Sequence, residues 1–409
     1  MTKRLDQVAT GVAPEVAAMA VSASGSRLRG ELIKDRLQLL VAPVCLVVAR
    51  VASPARGPLC RVGLLSVQEA GYVQQKVSHL MSSTRSISPS PIVALASMMR
   101  ATMSEIQVVD FHTHVHPTAR GGLALQRRFQ PGAPQRSGSL SEMLAWMAKI
   151  GVAKAMIVPW MPAQDLVGEL VAKWKGDGKL TEADKLRKAQ NLIVQRWRRL
   201  NKWGTEAVKA HPKKLMTLVG LDPILMGEAL VRREAEERLA TGAIGLKIAP
   251  LFLGCPPDDP RMEIVWRLAD KYRVFVLAQS GKGGYQGRPA WGHPQHFEQV
   301  LRSYPHVKIQ LAHLGMGHED VMAKLTAKYP NLYTDTSTRA AHFGTSHDWS
   351  YREAAKWIRR IGVERVVYAS NYPVADPAAA KANMEALPLT PAEKRLIMSE
   401  NYKRLVSKG

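Results

Sequence analysis

The chain has 409 residues, 46% hydrophobic and 22% charged, enough apolar content to bury a large core and to exclude disorder of the whole. Its three cysteines, Cys45, Cys60 and Cys255, are too few and too scattered for a disulfide framework or a structural zinc module, which points to a reducing, cytoplasmic setting. Lys and Arg number 57 against 34 Asp and Glu, a formal charge of +23, so the distribution of the excess decides whether it means nucleic acid, membrane or an anionic substrate.

Residues 1–102 hold a single aromatic residue, Tyr72, and five acids. They show neither a sustained period of 2 nor one of 3.6. This stretch is expected to be a poorly structured extension outside the catalytic unit, dispensable for folding from Met103 onward. An organellar transit segment is the alternative. Its most apolar run, Leu39 to Ala49, is far short of the roughly 20 residues a membrane-spanning helix needs. If ordered, Leu37 to Val48 would be a short helix packing on the main domain.

From Met103 the pattern changes to short β-branched runs alternating with longer amphipathic stretches, which is the mark of repeated βα units and a parallel sheet. Eight runs stand out: Ile106–Phe111, Ala153–Val158, Leu215–Leu221, Ile244–Ala249, Val274–Ala278, Val307–Ala312, Leu332–Asp335 and Arg365–Ser370. They are nearly continuous in apolar character, as strands covered on both faces should be. Eight such units predict a closed (β/α)8 TIM-like barrel. An open doubly wound sheet is disfavoured, because no G-x-G-x-x-G follows the first run and Gly281-Lys282-Gly283-Gly284 lacks the Ser/Thr of a phosphate loop.

The connection from Met161 to Ala210 exceeds what a βα unit needs and predicts a helical insertion after the second strand. Ile193, Trp197 and Leu200 fall at i, i+4 and i+7, a stripe facing the core. The rest of that helix is crowded with Lys185, Arg187, Lys188, Arg196, Arg198, Arg199 and Lys202. A charge-rich outer face explains this better than a nucleic-acid or membrane grip.

In such a barrel the chemistry sits at the C-terminal ends of the strands. The first run leads into Asp110-Phe111-His112-Thr113-His114-Val115-His116-Pro117. Alternate residues of an extended strand share a face, so His112 and His114 can reach one metal, and neutral imidazoles suit zinc or a similar divalent ion.

Five pieces in order, Val109-Asp110-Phe111-His112-Thr113-His114, Gly245-Leu246-Lys247, Leu311-Ala312-His313-Leu314-Gly315, Ala369-Ser370-Asn371-Tyr372-Pro373 and Glu400-Asn401-Tyr402-Lys403-Arg404-Leu405, resemble the amidohydrolase superfamily. The likeness is to its amidohydrolase-related branch, which includes aminocarboxymuconate-semialdehyde decarboxylase-like proteins and some lactone hydrolases, and covers roughly 105 to 407. It implies a β/α barrel with one divalent metal, first-strand ligands His112 and His114, and His313 near the substrate and metal-bound water. Where the family has His-Thr-Gly after the fifth strand this chain has Gln279-Ser280-Gly281, and where it has Ser-Asp-Tyr-Pro after the eighth this chain has Ser370-Asn371-Tyr372-Pro373. Gln279 thus stands at a metal-ligand position and Asn371 at a catalytic one, both as carboxamides. Asn offers a neutral oxygen with no proton affinity near neutral pH, so metal affinity and water activation should both be weakened. Asp335, ending the seventh strand, is the preferred spare carboxylate, with His116, His293 and Cys255 as lesser candidates.

Lys247, Lys282 and Arg288 lie at strand ends or in loops, where they would form a cationic mouth for a carboxylate-bearing substrate. The leading expectation is a metal-dependent hydrolase acting on a small carboxylated lactone, ester or amide. The alternatives are non-oxidative decarboxylation of an aromatic or muconate-type acid, and a barrel with a degenerate metal site that only binds ligand. The expected partner is a small anionic molecule, not nucleic acid or membrane, with a homodimer allowed.

Overall fold

A computed structural model describes residues 38–42, 46–50 and 106–407 apart from 133, 177, 282, 285 and 286. The chain falls into two compact units, Met1–Thr102 and Met103–Gly409. In the first, Gln38–Ala42 and Leu46–Arg50 are strands paired antiparallel, with Leu40 opposite Val48. The expected helix over Leu37 to Val48 is therefore corrected to a pair of strands. Pro43 in its middle has no N–H to give a helix, and Val41, Val47 and Val48 favour extended backbone. The expectation of disorder for the remainder of 1–102 lies outside the described residues.

The second unit is an eight-stranded parallel barrel. Its strands are β1 (Val108–Thr113), β2 (Val152–Ile157), β3 (Leu215–Thr217, resumed after Leu218 as Val219–Gly220), β4 (Gly245–Ile248), β5 (Phe275–Ala278), β6 (Ile309–Leu311), β7 (Leu332–Asp335) and β8 (Val366–Val367). β1, β2 and β3 pair in order, and the second half of β3 continues through β4 to β8. The seam between β8 and β1 is closed by Phe111 N–H donating to Tyr368 O at 2.9 Å and Asn371 N–H to His112 O at 2.9 Å.

Side chains alternate across each strand. Val109, Phe111, Met156, Val158, Leu218, Phe275, Leu277, Tyr333 and Val367 fill the interior, while Ala155, Ile157, Leu246, Ile248, Val276, Ala278, Ile309 and Leu311 pack against the surrounding helices. Burial on both faces is why the runs are legible as unbroken apolar segments. β1 begins and ends two residues later than the sequence suggested, so His112 belongs to the strand. Its pairing with β2 shifts register between Asp110 and Thr113, an irregularity that re-aims side chains. Phe111 can thus pack inside the barrel while its neighbour His112 reaches β7.

Between β1 and β2 lie α1 (Ala119–Phe129) and α2 (Leu140–Ile150); the insertion after β2 consists of α3 (Ala163–Lys173) and α4 (Glu182–Ala210). Thr181 caps α4 by accepting from Asp184 N–H, and Glu182 and Asp184 complement the positive end of the helix dipole. Ile193, Trp197 and Leu200 face the core as expected, with no more than 5% exposed. Asn201 exchanges both amide hydrogen bonds with the backbone of Gly220 at 2.9 Å, serving β3 as a surrogate strand partner. A Cβ on Gly220 would come within 2.3 Å of the Trp197 ring, so only glycine permits that docking. Several cations of α4 are matched by acids, Arg198 with Glu234 at 3.2 Å and Arg187 with Asp184 at 2.5 Å.

Candidate active site

β1 brings His112 and His114 together with their Nε2 atoms 3.2 Å apart. His114 Nδ1 lies 3.0 Å from Val158 O. A carbonyl only accepts, so Nδ1 carries the proton and Nε2 is bare. His112 Nδ1 lies 3.0 Å from Asp335 Oδ2, which assigns it the same tautomer. Burial lowers the pKa of both rings, against Asp335 in the case of His112 and helped by His112 and Lys247 in that of His114. The result is two neutral imidazoles with bare Nε2 atoms side by side. Two nitrogens bound at the usual distance to one tetrahedral ion would stand about 3.3 Å apart, so the pair as it stands suits a divalent metal.

Asp335 is fully buried and holds this arrangement. Oδ2 accepts from His112 and from Gln310 Nε2 at 2.6 Å, and Oδ1 accepts from the backbone N–H of His313 at 3.1 Å, from that of Ser337 at 3.0 Å and from the Ser337 hydroxyl. Burial alone would push this carboxyl up. The charge that His112 takes up on protonation and its hydrogen bond, then the charge of protonated His313 and the Ser337 hydroxyl, outweigh it and keep the group well below the usual carboxylate range. The expectation of a spare carboxylate is corrected here, because its oxygens are already filled and it acts by orienting His112. Carboxylate-backed histidines of this kind are typical of metal ligands.

His313, after β6, stacks on His112 with ring centroids 5.8 Å apart. Its Nδ1 is 3.0 Å from Ser337 O and 2.8 Å from Ser337 Oγ, leaving Nε2 without a hydrogen bond among the described residues. Burial lowers its pKa to about 4. After β8, Asn371 Nδ2 donates to Thr338 Oγ1 at 2.6 Å, while its Oδ1 is buried without a partner. Gln279, after β5, donates its backbone N–H to Ile248 O at 3.0 Å, and its Oε1 is likewise buried and unpartnered, lying against Gly292. Five non-glycine residues among those described have positive φ, and four of them, His313, Leu314, Thr338 and Asn371, follow β6, β7 and β8. Strain of this kind gathers at functional sites.

The fit of a metal can be judged from these atoms. Among the described residues no third His, Cys, Asp or Glu completes a ligand cluster. Asn371 Oδ1, Gln279 Oε1, Asp110 Oδ2 and Gln310 Oε1 are buried without a partner, so the two imidazoles are the donors the structure pairs, and buried oxygens of this kind would have to complete the set.

Lys247 points inward from β4 between outward Leu246 and Ile248, and is 3% exposed. Burial pushes its ammonium down to about 7, with the charge of Asp335 opposing. Arg288 is engaged by Asp165 at 2.8 Å, a carboxylate that also takes Arg128 at 3.4 Å. Lys282 lies outside the described residues. The lesser candidates have other employment. Burial lowers His116 to about 4 and pushes the Cys255 thiol up to about 12, and His293 accepts from Gln295 N–H at 3.1 Å to open the turn Pro294–Phe297.

Sequence reasoning missed Ser337 and Thr338, which hold the histidines and Asn371, and Gln310, which donates to Asp335. It also missed Trp160, whose ring lies 5.7 Å from His114 and contacts Phe129 and Phe252 at 5.6 and 4.7 Å. The positions of Ser337 and Thr338 just past β7 and of Trp160 just past β2 were the available signal, whereas Gln310 lies within β6.

Residues 109–407 match the amidohydrolase family. No curated protein sequence matches the chain. Among solved structures, an uncharacterised TIM-barrel protein from Bordetella bronchiseptica is 16% identical with TM-score 0.56, over 74% of this chain and 98% of its own. The 5-carboxyvanillate decarboxylase of Sphingomonas paucimobilis is 17% identical with TM-score 0.51, over 74% and 99%. A dihydroxybenzoic acid decarboxylase from a Polaromonas species, solved with manganese and the inhibitor 2-nitroresorcinol, is 15% identical with TM-score 0.53, over 73% and 96%. With a family match spanning nearly the whole barrel, and the barrel and its paired first-strand histidines in place, this chain belongs to the amidohydrolase family of enzymes.

Proposed function

We propose that the chain is a metal-dependent enzyme for a small carboxylate-bearing substrate, and that its reaction is non-oxidative decarboxylation of an aromatic or muconate-type acid. Asn371 is the observation that carries the choice. Hydrolysis, the leading expectation from the sequence, needs a base that takes a proton from water. Asn371 has no such basicity, and the oxygens of Asp335 are occupied by five donors.

Decarboxylation asks less of the protein. The bond from ring carbon to carboxylate breaks, carbon dioxide leaves, and the electron pair remains on carbon until a proton arrives. Lys247, buried with an ammonium near neutrality, is suited to deliver that proton from Nζ and regain it from solvent. A divalent ion held by His112 and His114, with Asn371 and Gln279 as neutral oxygens, supplies Lewis-acid stabilisation of negative charge on the substrate's oxygens when bound. Zinc and manganese both suit the donors, and manganese is the ion of the Polaromonas decarboxylase. Trp160, with Phe129 and Phe252 behind it, offers a flat apolar wall beside His114, which supports a planar substrate. His313 leaves Nε2 without a hydrogen bond among the described residues, but burial lowers its pKa to about 4, which makes it a poor base for water near neutral pH. Among the described residues no helix is long and apolar enough to cross a membrane.

The test is a panel of hydroxybenzoic and muconate-type acids beside a panel of carboxylated lactones, with manganese- or zinc-loaded protein. Release of carbon dioxide from the acids is expected. Lactone opening with oxygen taken up from labelled water, and no carbon dioxide from any acid, would refute the reading.

A further inference from the structure

The candidate site is short of negative charge. His112, His114 and His313 each turn Nδ1 to an acceptor, Asp335 Oδ2, Val158 O and Ser337 O at 3.0 Å, and so offer Nε2 as an uncharged donor. Asn371 and Gln279 contribute amide oxygens, buried and unpartnered. The charge of Asp335 is directed at His112 Nδ1, Gln310, His313 and Ser337. Asp110 spends Oδ1 on the backbone N–H groups of Ser370 and His112 at 2.9 and 3.3 Å, and although its Oδ2 is buried without a partner, among the described residues it forms no ligand cluster with His112 and His114. Lys247, buried on the inner face of β4, brings no negative charge to the site. A divalent ion entering here would bring two charges into a buried space, and Asp335, the carboxylate bonded to the pair, is turned to His112 Nδ1 and not to the bare Nε2 atoms. Buried charge without direct compensation is strongly disfavoured.

We infer that a divalent metal and a carboxylate-bearing ligand bind this site as mutually dependent partners, the ligand's carboxylate supplying the anionic oxygen that Asn371 and Gln279 lack. Each binds weakly alone and tightly in the presence of the other. This rests on the reading of His112 and His114 as metal ligands, and it turns an anionic substrate from a preference into a thermodynamic requirement. Linkage makes the effect reciprocal, so the factor by which the carboxylate tightens the metal equals the factor by which the metal tightens the carboxylate.

The experiment titrates manganese into metal-free full-length protein in three conditions: alone, with saturating benzoate, and with saturating benzamide, its neutral counterpart. Benzoate is expected to tighten manganese by at least about tenfold, which is about 1.4 kcal/mol, and benzamide by less than about twofold. Benzoate titrated with and without manganese should give the same factor. In Asn371→Asp the protein itself provides the charge, so manganese alone should bind at least about tenfold tighter and the benzoate increment should fall below about threefold. Measurable manganese binding that benzoate and benzamide leave equally unchanged would overturn the mutual dependence while keeping the metal reading. Absence of manganese binding in all three conditions would overturn both. A full benzoate increment retained by Asn371→Asp would overturn the charge deficit as the cause, and the three wild-type conditions decide the matter should that variant not fold.

Discussion

Replacing Asp335 by Asn probes the centre of the proposed site. The carboxylate is fully buried and accepts from five donors, of which His112 is also an ion-pair partner when protonated. The amide keeps the shape, loses the charge, and turns one acceptor oxygen into an NH2 that meets N–H and O–H donors. Disrupting a buried hydrogen-bonded charge network of this kind costs about 3–5 kcal/mol. The pH dependence has a definite sign. Because the folded carboxyl is held well below the usual range, its stabilising contribution is fully present above the unfolded pKa, about 3.9, and fades as pH falls toward the folded value. Urea denaturation of metal-free parent and variant should therefore show a gap that is constant from about pH 5 to 8 and narrows below about pH 4. In the same variant the His112 ring loses its anionic partner, and metal affinity should fall by about 10- to 100-fold. A gap below about 1 kcal/mol at neutral pH, or one that does not narrow in acid, would show that Asp335 is not the ionised hub described here.

Asp222, 1% exposed, caps the turn Pro223–Met226 by accepting from Leu225 N–H at 3.0 Å, and burial raises its pKa to about 6. A raised carboxyl loses stability as pH climbs from the unfolded value through the folded one, so Asp222→Asn, which keeps the cap, should match the parent near pH 4 and exceed it at pH 7 by up to about 3 kcal/mol; parallel pH profiles of denaturation midpoint would contradict this. Changing Gln279 to His and Asn371 to Asp together should raise zinc affinity by at least about tenfold, with each single change giving part of the gain; equal affinities by calorimetric titration would mean that these side chains never faced the metal. Trp197→Ala should cost about 3–5 kcal/mol in chemical denaturation, since the 2% exposed ring fills the space over Gly220, and a loss under about 1 kcal/mol would place α4 outside the cooperative core.

The barrel was legible in the sequence because parallel strands covered on both faces must be apolar along their whole length, and eight such runs separated by amphipathic stretches admit few other folds. The histidine pair was legible for a related reason, since two residues apart on one strand is the shortest spacing that turns side chains to the same side. The two carboxamides were visible as departures at positions 279 and 371. What only the tertiary structure decided was which atoms remain free. Asp335 reads as an available carboxylate until the fold brings His112, Gln310, His313 and Ser337 onto it from β1, β6 and the segments after β6 and β7. Lys247 reads as a mouth residue until alternation along β4 turns it into the barrel interior and burial lowers its pKa. Even the strand ends moved, because the register shift in β1 depends on its neighbour β2 across the sheet. The oxygens of Asp335 are filled by residues between 2 and 223 positions away, and the sequence around Asp335 does not encode which of the distant ones will arrive.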